Sequence, residues 1–220
     1  TNEGRTALID KGAITTLNHL ANQDNTPRGR ECIAKAIATI ATSEAGRTAL
    51  LEHIEENPDD NILKGLNHLA TQDNTPRGRN FIAMAIGHMS VSEAGRAVLL
   101  ETPNVITTLT TFSAQVNTEF GRAQIAMAMA NIAASEVGRI ALLANGNVID
   151  TLTTLATHNN SERGRECIAA AIKNISVSDE GITALLENGE VISMLSTLAN
   201  QDNTPRGREC IAGVIVNIAT

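Results

Sequence analysis

Apolar residues recur along this chain at helical rather than strand spacing, and they do so in blocks. In residues 134–176, Ser135 N-caps a short helix, EVGRIALLA, with Ile140, Leu142 and Leu143 on one side. Asn145-Gly146-Asn147 supplies a turn. VIDTLTTLA then sets Val148, Ile149, Leu152 and Leu155 at helical spacing, with Asp150, Thr151, Thr153 and Thr154 among its solvated positions. The polar run His158-Asn159-Asn160-Ser161 breaks that helix. A longer one, ERGRECIAAAIKNISV, follows, with Ile168, Ala171, Ile172 and Ile175 in an i, i+3, i+4, i+7 stripe. The block predicts three helices: short, medium and long.

The same block is written along the whole chain. A glycine near the start of each long helix recurs as Gly29, Gly78, Gly121, Gly164 and Gly207, and a second follows 17 residues after the first four, as Gly46, Gly95, Gly138 and Gly181. Successive glycines of the first set lie 49, 43, 43 and 43 residues apart. Thr26-Pro27, Thr75-Pro76 and Thr204-Pro205 open three of the long helices, since Thr caps and Pro suits the first helical position. Repeats of this size bury a core only by stacking. The expected architecture is one all-α array over residues 1–220, in units 1–41, 42–90, 91–133, 134–176 and 177–220. The recurring glycines, costly in helices, imply close approach between neighbouring helices.

The first unit, NEGRTALIDKGAITTLNHLANQDNTPRGRECIAKAIATIAT, resembles the armadillo repeat family in the order and spacing of all three helices. The family's Ala-Leu-x-Asn-Leu-Ala ending is matched by AMANIAA at 128–134, AIKNISV at 171–177 and VIVNIAT at 214–220. The resemblance implies a right-handed α-solenoid, about three helices per 43-residue repeat, whose third helices line a concave groove for an extended peptide or a partner helix. The family's peptide-binding asparagine maps to Asn131, Asn174 and Asn217, with Thr39 and His88 in its place in units one and two. Nuclear-import receptors of the family carry a tryptophan four residues earlier, where this chain has Lys35, Met84, Met127, Ala170 and Gly213. The resemblance therefore does not extend to their basic-peptide pocket. An asparagine row can pair with a peptide backbone, or it can hydrogen-bond the neighbouring helix.

Composition narrows the function. Apolar residues make up 42% of the chain, there is no Trp or Tyr, and Phe81, Phe112 and Phe120 are the aromatics. A net charge of −7 and the lack of stacking rings argue against a nucleic-acid partner. Cys32, Cys167 and Cys210 share one repeat position, on helices about 10 Å apart and so beyond disulfide reach. They read as small buried thiols in a reducing, cytoplasmic setting. No long apolar run indicates a membrane span. No His or Cys spacing suits a metal, and no cofactor or catalytic constellation emerges.

Charge adds two ladders. Arg30, Arg79, Arg122, Arg165 and Arg208 recur in the first turn of the long helix, with Arg28, Arg77, Arg163 and Arg206 beside four of them. Arg5, Arg47, Arg96 and Arg139 form the second. Cations there oppose the helix dipole, so something must compensate. One reading is an edge for carboxylates of an acidic partner; the other is ion pairing between repeats through Glu44, Glu93, Glu136, Asp179, Glu166 or Glu209. The second unit carries about six extra residues in EHIEENPDDNILKG, either a solvated loop or part of a binding face.

These features point to a non-catalytic protein-interaction scaffold. The rival is a self-assembling array. Thr1 aligns with Ser43 and Thr220 with Thr42, so the chain holds whole units in phase, and copies could stack head to tail. A piece of a longer array and an engineered repeat protein are further alternatives.

Overall fold

Nine Ser or Thr residues in this computed structural model accept a hydrogen bond from the backbone N–H of the glycine three positions on. The distances run from 2.9 Å at Thr75–Gly78 to 3.2 Å at Ser161–Gly164 and Ser178–Gly181. Each is the N-cap of a helix, and the cap fixes where the helix starts. The structure describes all residues except Thr1, Asp24, Asp73, Val116, Asn117, Asn159, Asp202 and Asn203, and leaves aside the side chains of Asn2, Glu3, Arg5 and Thr6. Arg5 of the second ladder therefore lies outside the described side chains, and Asn159 outside the described residues.

The described residues form fifteen helices and no strand. They fall into two compact units. The first, Thr1–Thr108, holds α1 (Asn2–Asp10), α2 (Ala13–Ala21), α3 (Pro27–Ala41), α4 (Glu44–Glu56), α5 (Ile62–Thr71), α6 (Pro76–Met89) and α7 (Glu93–Glu101). The boundary falls inside α8 (Val105–Gln115). The second unit, Leu109–Thr220, continues with α9 (Glu119–Ala133), α10 (Glu136–Ala144), α11 (Val148–Thr157), α12 (Glu162–Ile175), α13 (Asp179–Glu187), α14 (Val191–Asn200) and α15 (Pro205–Ala219).

Within the first unit α3 packs on α6, α2 on α5 and α4 on both α1 and α7. Within the second, α12 lies between α9 and α15, α11 packs on α14 and α10 on α13. Like packs on like, as the sequence repeat requires. The core is aliphatic: Ile37, Leu50, Leu69, Ile82 and Leu99 in the first unit and Ile125, Met129, Ile132 and Leu142 in the second are nearly solvent-free. The stripe Ile168, Ala171, Ile172 and Ile175 is fully buried, as its spacing predicts.

A Cβ on Gly46, Gly95, Gly138 or Gly181 would stand 1.9 Å from the carbonyl oxygen of Ile40, Met89, Ile132 or Ile175. The short helix thus starts with its backbone pressed against the last turn of the preceding long helix, and only glycine fits. The other glycine set differs from expectation. A Cβ at Gly29 or Gly78 would meet only its own cap residue and the preceding asparagine, at 3.3–3.7 Å, so these two glycines do not mark a close approach between helices, whereas one at Gly164 would also meet the Ala123 Cβ of α9 at an ordinary 3.6 Å.

Two apolar or polar assignments also change. Ile140 is 62% exposed whereas Leu142 is buried, because residues two apart lie on opposite sides of a helix. Thr151, expected in solvent, is buried at 7% exposure. Cys32 is exposed while Cys167 and Cys210 are buried. The reason is local: α12 and α15 each pack against a preceding long helix, and α3 follows only α1 and α2.

The extra residues of the second unit lengthen α4 to 13 residues, against nine in α7, α10 and α13. Asp60 then accepts hydrogen bonds from Asn18 and Asn22 at 2.9 and 3.2 Å, which ties the segment to α2. Its carboxylates Glu52, Glu55, Glu56, Asp59 and Asp60 are exposed.

Candidate functional site

The groove positions named from the sequence lie on the long helices. In the first unit, Lys35 and Thr39 on α3 are exposed, and Met84 and His88 on α6 are half-buried. In the second, Met127 and Asn131 on α9, Ala170 and Asn174 on α12, and Gly213 and Asn217 on α15 are all half-buried. Side chains four apart on one helix share a face, so each helix presents two of them together.

Chemistry differs along the row. Lys35 Nζ stands 5.9 Å from the Phe81 ring centroid, a cation over an aromatic face. Thr39 donates to the Lys35 carbonyl at 2.7 Å. Burial holds the His88 imidazole below its ordinary value, and the Arg47 charge adds to this, so His88 is neutral at physiological pH.

The asparagines have defined partners. Asn174 Nδ2 donates to the Ala130 carbonyl of α9 at 2.9 Å, and Asn217 Nδ2 donates to Ser176 Oγ at 3.0 Å. Their amide planes are fixed by the neighbouring repeat position. Between α12 and α15 a hollow of about 590 Å³ is lined by Ala170, Lys173, Asn174, Arg206, Glu209 and Cys210 among others. Lys173 crosses Gly213, where a Cβ would stand 2.9 Å from its Cε, and its Nζ reaches Glu209 at 3.8 Å.

Both arginine ladders bind backbone carbonyls. Arg30, Arg79 and Arg165 donate to the carbonyls of Asn25, Asn74 and Asn160, five residues back in the turn before the long helix. Those asparagines donate in turn to the end of the medium helix, at the Leu20, Leu69 and Leu155 carbonyls, each at 2.6 Å. Arg122 is buried and its Nε donates to Asn160 Oδ1 at 2.9 Å, linking α9 to the turn before α12. Arg208 is exposed. Arg47, Arg96 and Arg139 donate to the Ala41, Ser90 and Ala133 carbonyls at 3.0–3.3 Å. Arg47, Arg96 and Arg139 are thus compensated by the negative end of the preceding long helix, and Arg30, Arg79 and Arg165 by a carbonyl of the turn that precedes their own helix.

In the two ladders this takes the place of the expected ion pairing, which is met in part beside them, where Arg206 reaches Glu166 of the preceding unit at 3.7 Å and Lys173 reaches Glu209 of the following one at 3.8 Å. Among the described residues the ion pairs fall on Arg28–Glu31, Arg163–Glu166, Arg206–Glu166 and Lys173–Glu209, and Glu44, Glu93, Glu136 and Asp179 take no part in them. Sequence reading passed over Glu31, which accepts the Thr75 hydroxyl at 2.7 Å across α3 and α6. Glu166 accepts Thr204 at 3.1 Å in the same way. The signal was present: Glu31, Glu166 and Glu209 share one repeat position.

Among the described residues, no three His, Cys, Asp or Glu side chains gather as a metal site, and no helix is long and apolar enough to cross a membrane.

No known family profile and no curated protein matches the sequence. Solved structures do resemble the fold. A designed armadillo repeat protein superposes with a TM-score of 0.81 at 22% identity, over 99% of this chain and 87% of its own. Another, solved in complex with the peptide (KR)4, gives a TM-score of 0.79 at 22% identity over 99% and 87%. A computationally designed armadillo repeat protein for modular peptide recognition gives 0.80 at 21% over 98% and 86%. The fold is an all-α, armadillo-like repeat solenoid.

Proposed function

We propose that the chain is a non-catalytic scaffold that binds an extended peptide or a partner helix on the exposed face of its long helices. One observation carries this reading: Lys35, Thr39, Met84, His88, Met127, Asn131, Ala170, Asn174, Gly213 and Asn217 all keep solvent contact on the long helices, of which α3, α6, α9 and α12 are buried at most of their other positions. Small and apolar residues in the row leave room for side chains of the partner. Asparagines held by neighbouring helices offer fixed amides to its backbone, a cheaper arrangement than ordering them on binding. An acidic side chain of the partner would meet Lys173 and Arg206 at the hollow between α12 and α15. Peptide recognition by structural neighbours of the same fold supports this choice of partner class.

A random-peptide display library panned on the native chain and on a Met84→Glu, Met127→Glu, Asn174→Glu variant tests the proposal. Sequences enriched on the native chain should lose at least tenfold in recovery on the variant. Equal recovery, or no enrichment, would sink it.

A further inference from the structure

Helix α10 is apolar on two opposite sides. Leu142 is buried in the core, while Val137 and Ile140 on the other side are 66% and 62% exposed. Val137, Ile140, Ala141 and Ala144 stand at i, i+3, i+4 and i+7, the spacing with which a helix builds the stripe it buries. Here that stripe is turned to water, with Ala144 exposed and Ala141 half-buried. Single exposed aliphatic side chains are ordinary on a protein surface; contiguous ones mark a contact surface.

The repeat supplies the comparison. Where α10 has Val137, the short helices α4, α7 and α13 have Ala45, Ala94 and Glu180, and where it has Ala144 they have Glu52, Glu101 and Glu187. Helix α1 ends the same row with Asp10, so α10 is the one short helix without a carboxylate there. The fold does not require the apolar residues, because Glu180 and Thr183 stand in solvent at the positions of Val137 and Ile140 one repeat on.

The strip is held rigidly. Ser135 caps α10 through the Gly138 N–H at 3.1 Å, and Gly138 is pressed on the Ile132 carbonyl at the end of α9, so a partner meets a surface already ordered. Its surroundings are acidic. Glu136 at the start of α10 is exposed, and α13, which packs on α10, carries the exposed Asp179, Glu180 and Glu187 and no cation. Arg139, the one cation of α10, is half-buried and engaged with the Ala133 carbonyl at 3.3 Å. Charge selects the occupant. A second copy docking through the same strip would set carboxylates against carboxylates, and an anionic lipid surface would be repelled too. Lysine or arginine beside an apolar stripe complements both parts. From Val137 to Ala144 the strip rises about 10 Å, which matches two turns of a helix laid along it.

We propose that this strip of α10, with the carboxylates of α13 beside it, docks a basic amphipathic helix of a partner protein. The partner's aliphatic side chains lie on Val137 and Ile140, and its cations meet Glu136, Glu180 and Glu187. The surface belongs to the short helices and not to the long-helix row.

Fluorescence anisotropy with two labelled helical peptides reads this directly: one has leucines along one face and lysines on the rest, and the other has glutamates in place of the lysines. Each is titrated with the native chain and with a Val137→Glu, Ile140→Thr variant, which gives α10 the residues of α13 at those positions and is checked by circular dichroism melts. The lysine peptide should bind the native chain at least tenfold more tightly than the variant. Because the variant carries one more negative charge, that loss reads the apolar contact and not general attraction. The Met84→Glu, Met127→Glu, Asn174→Glu variant should bind the lysine peptide no more weakly than the native chain, and the glutamate peptide should bind none of them. Equal affinity of the lysine peptide for the native chain and the α10 variant overturns the proposal. So does a lysine peptide that fails to bind the native chain at millimolar concentration, or a glutamate peptide that binds it equally well. Dimerisation of the native chain, or its sedimentation with phosphatidylserine vesicles, lost in the α10 variant, would give the strip to a second copy or to lipid and overturn it as well.

Discussion

The Thr75 hydroxyl joins two helices: it accepts the Gly78 N–H at 2.9 Å as N-cap of α6 and donates to Glu31 Oε2 on α3 at 2.7 Å. This bond is the main reason the Glu31 carboxyl lies below its ordinary value of 4.5; burial works against it, and the Arg28 and Arg77 charges add to the lowering. Glu31→Gln keeps the shape and removes the charge, and should lower unfolding free energy near neutral pH by about 1–2 kcal/mol. A depressed carboxylate stabilises fully above its unfolded value and loses that contribution as pH falls through the folded one. Urea unfolding should therefore separate native chain and variant at neutral pH, with the gap closing below pH 4.5. A gap that persists in strong acid would contradict the ionic origin.

Gly138 and Gly146 should respond in opposite directions to the same methyl group. A Cβ on Gly138 would stand 1.9 Å from the Ile132 carbonyl oxygen, backbone that cannot yield without unwinding the end of α9. Gly138→Ala should cost about 3 kcal/mol. At Gly146 nothing lies within 4 Å, and Gly146→Ala should be neutral or stabilise by about 0.5 kcal/mol through the unfolded chain. Paired thermal melts decide.

Arg79 ties the turn before α6 through the Asn74 carbonyl. Arg79→Met retains the aliphatic stem and removes the donor, leaving that carbonyl to water. A loss of about 1 kcal/mol in urea unfolding is expected. Arg77→Met, on the exposed neighbour, should change little. Equal effects at the two sites would mean that the carbonyl bond is not what anchors the ladder.

Helix starts, the aliphatic stripe and the repeat were legible because each is written locally: Thr26, Thr75 and Thr204 cap their own helices, and Ile168 to Ile175 keep one face by spacing alone. The arginine partners were not, since any residue carries a carbonyl and sequence gives no sign of which one Arg79 meets. Carboxylates are visible in a sequence, and they drew the expectation of ion pairs. Gly46 and Gly29 look alike as letters, yet one faces the carbonyl of another helix and the other its own cap. The groove row comes from the resemblance to the armadillo family, carried from unit to unit by the repeat. Exposure of its residues depends on which helices stack, as Asn174 shows by reaching Ala130.

Cysteine reactivity probes that dependence on stacking. The three cysteines share a repeat position, yet Cys32 is exposed and Cys167 and Cys210 are buried. Burial also pushes both of the latter thiols up, the Arg163 and Arg206 charges offsetting it only in part at Cys167, so little attacking thiolate is present. Dilute native chain should give one fast-reacting thiol with an aromatic disulfide reagent near neutral pH, and all three in denaturant. Cys32→Ser should leave no fast phase. A native chain with no fast-reacting thiol would mean that Cys32 is covered as Cys167 and Cys210 are.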